Sequence, residues 1–224
     1  DQAAGLRRLF AGARGPLKIA VAGAPELAAP ATAALARGLA AAGKEILVID
    51  EQAGAEGVAA QFGLRSRFDL LQAVRRDESA GRVLLRPEPS IRLLAAARAA
   101  RRYERLEAME RQALAEWLRR LDQGVDCVLL AAAGRGGAAF SPLMPQPQRI
   151  VVAAAPGIAS LTGTYACIKR LAQLSERRRF DLLLLGAPDV TEGRIALARL
   201  REVTRRHLGI ELAPIVAAGG NDAQ

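Results

Sequence analysis

Seven short apolar runs that alternate with stretches of helical period restrict this chain to repeated strand–helix units on a mainly parallel sheet. The runs are Lys18 to Ala22, Glu45 to Ile49, Ile91 to Ala95, Cys127 to Ala131, Ile150 to Ala154, Leu182 to Leu185 and Pro214 to Ala217. Helices are expected near Pro30 to Ala42, Ala55 to Phe62, Asp69 to Arg75, Tyr103 to Leu121, Leu161 to Ser175 and Glu192 to His207. The longest carries Tyr103, Leu106, Ala113, Leu114, Trp117, Leu118 and Leu121 on one face, a stripe of core packing. Ser141 to Gln148, with three prolines, reads as a surface loop. No linker or repeat divides the chain, so the expectation is a single α/β domain, a mostly parallel sheet flanked by helices, over residues 16–224. A separate segment, residues 1–15, precedes it.

The 224 residues are 51% hydrophobic but only 4% aromatic, which points to one sizeable core of Ala, Leu, Val and Ile. The net charge of +9 is carried almost wholly by arginine, the only lysines being Lys18, Lys44 and Lys169. These arginines are spread along the chain and are not interleaved with aromatics, so nucleic acid is not the expected partner. Cys127 and Cys167 lack the spacing of a metal site, and His207 stands apart from other ligand types; two structural thiols in a reducing cytoplasm, with no metal, are expected. No apolar run approaches the roughly 18 residues that a membrane span needs.

Ile19 to Gly43, IAVAGAPELAAPATAALARGLAAAG, has the layout of the strand, phosphate loop and first helix of a nucleotide-binding fold. A working P-loop uses glycines so that backbone N–H groups can wrap phosphate, a lysine for the β- and γ-phosphate charge, and a Ser/Thr hydroxyl for magnesium. Here Gly23 is the lone glycine of the loop. No lysine or arginine occurs from Ile19 to Ala36, and Pro25 and Glu26 occupy the place where donors and positive charge should converge. Thr32 falls inside the helix, where it reads as an ordinary helical threonine.

The opening DQAAGLRRL matches the DQAxGLR signature at the head of the FlhG/FleN branch of the MinD/ParA ATPases, which set the number and placement of bacterial flagella. ILVIDEQAGAEGVAAQFGL at Ile46 to Leu64 resembles that family's strand, aspartate and following helix, with Asp50, Gly54, Val58, Gly63 and Leu64 in register. VDCVLLAAAGRG at Val125 to Gly136 resembles its Walker B strand, and PGIASLTGTYACIKRL at Pro156 to Leu171 its PEPTAITDAYALIK helix. The resemblance spans almost the whole chain and implies a MinD/ParA-like P-loop NTPase fold.

Against that pattern the family's KGGVGKT loop is replaced by AGAPELAAPAT, which lacks both the intermonomer and the phosphate lysine. Gln52 stands at the second aspartate of the DxD motif, and Ala131 at the aspartate closing the Walker B strand. The base-recognition asparagine is missing from LLLLGAPDV, and the loop after the last strand reads GGND. Gly23, Glu26, Asp50, Gln52 and Ala131 thus outline a degenerate nucleotide site, and the expectation is a pseudo-ATPase without cofactor or catalytic residue. In active relatives the aspartate matching Asp50 prepares water or contacts magnesium; without them it reads as a strand-end residue capping the next turn.

The motif that remains whole is N-terminal. Asp1 can cap a short helix, and Leu6, Leu9 and Phe10 give it an amphipathic face too short to be stable alone, as expected of a segment that folds on a partner. In the resembled family this segment engages the signal-recognition-particle-type GTPase FlhF and stimulates hydrolysis. Carried over, the partner-binding residues are Asp1, Gln2, Ala3, Gly5, Leu6 and Arg7, with the Gln2 amide suited to ordering an attacking water. Flagellar switch or transcription-regulator proteins are the further partners implied for the globular body. Loss of the nucleotide sandwich implies a monomer, and the sequence stops at Gln224, just after the last strand, where the family carries a membrane-targeting helix. Two other classes stay open: a ParA/MinD-type ATPase with an unorthodox loop, and a DNA-binding ParA-like protein using arginines as phosphate contacts.

Overall fold

A computed structural model describes residues 15–215, apart from 53, 76–78, 133–140 and 188. The chain forms one α/β domain around an eight-stranded sheet. In chain order the elements are β1 (Leu17–Ala22), α1 (Pro25–Ala41), β2 (Ile46–Asp50), α2 (Val58–Gln61), α3 (Leu70–Val74), α4 (Ala80–Val83), β3 (Leu84–Glu88) and β4 (Ile91–Ala95). They continue with α5 (Ala97–Arg102), α6 (Ala108–Leu121), β5 (Cys127–Ala131), β6 (Arg149–Ala154), α7 (Ile158–Ser175), β7 (Arg179–Leu184), α8 (Val190–Leu208) and β8 (Glu211–Ile215).

The sheet order is β3-β4-β2-β5-β1-β6-β7-β8, and every pairing is parallel except β3 with β4. Its central strands are apolar on both sides because helices cover both faces. Ile19, Val21, Val48, Leu129 and Val151 pack beneath the alanine-rich face of α1. On the opposite face Leu47, Ile49, Val128 and Leu130 meet α3, α5 and α6, while Val152, Phe180 and Leu182 meet α7 and α8. The β1 strand is the pivot: the chain builds outward to β2, β4 and β3, returns to β5, then crosses β1 to β6, β7 and β8. In open α/β sheets such a switch point, at the carboxyl ends of the strands, is where ligands bind.

The seven expected strands are present, with their ends adjusted by a few residues, and β3 is an eighth. It forms an antiparallel hairpin with β4 through Pro89 and Ser90 and lies at the sheet edge, which is why it tolerates Pro87. The other edge strand, β8, contains Pro214. Helix α1 begins at Pro25 rather than at Pro30, which sits inside it. The helix expected from Tyr103 is broken: Tyr103–Arg105 is a 3-10 turn, Leu106 is extended, and α6 restarts behind a capping box of Glu107 and Glu110. The stripe still packs in one cluster, with Leu106 and Leu114 buried and Tyr103, Trp117, Leu118 and Leu121 against them.

Ser141 to Gln148 is a loop, but not merely a surface one. Ser141, Leu143 and Met144 are buried against the α6 side of the core, because Leu143 and Met144 supply apolar cover where α6 ends.

Candidate functional site

The carboxyl ends of β1, β5 and β2 meet in one row, where Val21 is registered with Ala131 and Ala131 with Asp50. The row is knitted onward by Ala132 N–H to the Val21 carbonyl (3.0 Å) and Glu51 N–H to the Ala131 carbonyl (3.1 Å). Three of the residues singled out in the sequence, Asp50, Gln52 and Ala131, are therefore neighbours here, and Gly23 follows directly on the end of the central strand β1.

The connection from β1 to α1 consists of Gly23 and Ala24 alone. Ala24 caps α1 without a side-chain hydrogen bond, Pro25 at the first helical position has no N–H, and Glu26 is exposed in the first turn. Its carboxylate offsets the positive end of the helix that would otherwise attract an anion. Gly23 has a packing role: a Cβ there would lie 3.1 Å from the Ala153 Cβ and 3.3 Å from the Ala153 carbonyl oxygen. Thr32 is fully buried, and its hydroxyl donates to the Ala28 carbonyl at 2.7 Å, the back-bond of a helical threonine.

Asp50, Glu51 and Gln52 are buried in succession, at 2%, 4% and 9% exposure, where a strand end usually meets water. The Asp50 carboxylate accepts from Gln52 N–H at 3.0 Å and from Val58 N–H at 2.7 Å, so it closes the turn after β2 and caps α2. Gly57 is needed for this, since a Cβ there would stand 2.8 Å from Asp50 Oδ2. Burial pushes the Asp50 carboxyl up to about 6, against the opposing pull of these backbone donors and with a smaller push from Glu51. Glu51 accepts from the Ser141 hydroxyl, which ties the proline-rich loop to the row. Gln52 donates through Nε2 to the Ala132 carbonyl at 3.4 Å, and its Oε1 is buried without a hydrogen-bond partner among the described residues.

Two features lay beyond the reach of the sequence. Asp69, recognisable as a helix start, accepts from Leu71 N–H (3.0 Å) in α3 and from Arg98 N–H (2.8 Å) and Ala99 N–H (3.0 Å) in α5, so one buried carboxylate fastens two helix ends. Beside it opens a cleft of about 700 Å³ between the α2–α3 connection and α5, lined by Asp50, Gln52, Arg65, Arg67, Arg98 and Arg101 among others. The faint signal for it was the pairing of two basic stretches, RSR at residue 65 and ARAARR at residue 97.

Among the described residues no cluster of His, Cys, Asp and Glu is arranged to hold a metal ion, and no helix is long and apolar enough to cross a membrane. Cys127 is buried in β5, where desolvation pushes its thiol up; Cys167 on α7 is only half-buried and is raised by the same cause. The N-terminal candidates, Asp1, Gln2, Ala3, Gly5, Leu6 and Arg7, lie outside the described residues.

No family model matches the chain. It is 25% identical over 178 residues to the antiactivator FleN of Pseudomonas aeruginosa, a match that covers 80% of this chain and 64% of FleN, so the chain spans less than two thirds of that relative's length. Among solved structures it resembles the MinD cell division protein of Aquifex aeolicus, with a TM-score of 0.56 at 16% identity over 87% of this chain and 79% of that one. The cobyrinic acid a,c-diamide synthase of Mycobacterium smegmatis, solved with ADP and magnesium, gives 0.59 at 19% identity over 92% and 86%. In sequence through FleN, and in the topology of its sheet through the MinD/ParA-type P-loop ATPases, the chain is similar to the FlhG/FleN branch of that superfamily.

Proposed function

We propose that this chain is an FlhG-like regulator of flagellar biosynthesis that does not hydrolyse ATP and acts in the cytoplasm by protein contact. The observation that carries the reading is the two-residue connection from β1 into α1. A phosphate chain needs a ring of converging N–H groups and positive charge. This connection offers neither a long loop nor a base, and the neighbouring strand ends present Ala131 and Gln52 where the resembled family has carboxylates. FleN, with which the chain shares most of its length, is named an antiactivator, which agrees with a regulatory role.

In this reading the activity resides in the N-terminal segment. Asp1 to Arg7 binds an FlhF-type GTPase, the Leu6 side chain is buried in the contact, and the Gln2 amide orders the attacking water. The globular body carries the segment and offers surface to flagellar switch or transcription-regulator proteins.

GTP turnover by an FlhF-type GTPase tests the proposal. Adding the full chain raises turnover; Gln2→Ala abolishes the rise and leaves the circular dichroism unchanged. Leu6→Asp weakens binding by roughly 2 kcal/mol or more, because a charge enters an apolar contact. Stimulation by Gln2→Ala equal to that of the parent refutes the role of the amide. Calorimetry with Mg-ATP gives no affinity up to millimolar nucleotide, and micromolar affinity at the β1 connection refutes the pseudo-ATPase reading.

A further inference from the structure

The cleft beside β2 and β4 differs in its charge from two other hollows among the described residues. The hollow against β8 sets Arg179, Arg201 and Arg205 beside Glu202 and Glu211, and the one below β1 sets Lys18 and Arg119 beside Asp122 and Asp126. In the β2–β4 cleft Arg65, Arg67, Arg98 and Arg101 line the walls, and none of the four forms an ion pair among the described residues. The two carboxylates that line it, Asp50 and Asp69, are turned to backbone N–H groups. Positive charge is thus gathered on two sides of a hollow whose volume, about 700 Å³, lies within the roughly 300–1,000 Å³ of small-ligand sites.

A second observation is independent of the arginines. Gln52 lines the same cleft, is nine-tenths buried, and leaves Oε1 without a hydrogen-bond partner among the described residues. A buried carbonyl oxygen left bare is destabilising, and a donor from a ligand removes that cost. Small residues, Gly54, Ala55, Ala59, Ala60 and Gly63, line the cleft on the α2 side. A hydroxyl group supplies the donor, and guanidinium groups recognise phosphate through paired N–H bonds.

We propose that the cleft walled by Arg65, Arg67, Arg98 and Arg101, with Gln52 among its lining residues, binds a small phosphorylated ligand that carries at least two phosphate groups and a hydroxyl donor. The phosphates lie on the arginines and the hydroxyl donates to Gln52 Oε1. The cleft is displaced from the β1 switch point toward β4 and does not involve Gly23 or Glu26. Magnesium would neutralise the phosphate charge that the arginines recognise, so the metal-free ligand is the one bound.

Calorimetry on the full chain with two probes tests this: inorganic pyrophosphate, which offers charge alone, and fructose bisphosphate, which adds hydroxyl donors. Both bind, the sugar bisphosphate more tightly. Arg98→Ala with Arg101→Ala, two exposed positions, weakens both by about tenfold or more, whereas Gln52→Leu weakens only the sugar bisphosphate. Equal affinity of parent and double variant for pyrophosphate, or no binding of either probe at millimolar concentration, overturns the proposal. An unaltered affinity of Gln52→Leu for the sugar bisphosphate overturns the assignment of the hydroxyl. Heat with Mg-ATP that survives the double substitution counts against the reading of the β1 connection, whereas heat that vanishes with it overturns the metal-free assignment of the cleft, so the two proposals fail separately.

Discussion

Asp50 is held almost without exposure, and desolvation outweighs the backbone donors bonded to it, so its carboxyl titrates near 6 in the folded chain against 3.8 in a free aspartate. Because the folded value is the higher one, the native state holds the proton more tightly than the unfolded state, and the stability from this group falls as pH rises from about 4 through about 6. Denaturation in urea therefore shows the protein more stable near pH 5 than near pH 7.5, by about 1 kcal/mol from this group. Asp50→Asn removes that part of the slope, whatever it does to the absolute level; an unchanged slope refutes the assignment. The position of Asp50 was legible in the sequence because it ends a strand of Val and Ile. The packing role of Gly23 was not, since it depends on Ala153, a strand away in space and far along the chain. Nor was the burial of Glu51, whose partner Ser141 comes from a loop that reads as solvent-facing.

Elements are joined here by single polar residues as much as by apolar faces. Asp69 is the clearest case, since it caps α3 and also anchors the start of α5, 29 residues later in the chain, with Arg98 N–H and Ala99 N–H. Replacing one N-cap carboxylate by alanine costs about 1 kcal/mol, and leaving three buried donors unpaired costs more. Asp69→Ala is expected to lose roughly 2–4 kcal/mol in chemical denaturation; a loss no larger than that of a single exposed cap shows that the two helices are not coupled through it. The parallel strands were readable because burial on both faces leaves continuous apolar runs. The β3 strand was not, because Arg86, Pro87 and Pro89 mimic a loop and are permitted only by its place at the edge. The start of α1 was misplaced for a related reason: both Pro25 and Pro30 can open a helix, and only the packing of Ala28, Ala29 and Ala31 under the sheet selects the earlier one.

At the scale of the molecule, the resemblance to the MinD/ParA ATPases implies a dimer closed across two bound nucleotides, which needs phosphate and a bridging lysine at the end of β1. In the proposed reading neither is present, so light scattering gives the mass of one chain with and without Mg-ATP, and a dimer formed only with ATP contradicts it. The high positive charge works in the same direction, since copies repel at low ionic strength. The two edges of the sheet have a bearing on crowding. Each edge strand among the described residues contains a proline, Pro87 in β3 and Pro214 in β8, which deprives the ladder of a donor. Strand-by-strand zippering of one copy onto the next is therefore obstructed at both ends. Copies crowded into one place are thereby denied a growing β-ribbon, the kind of assembly that would trap them.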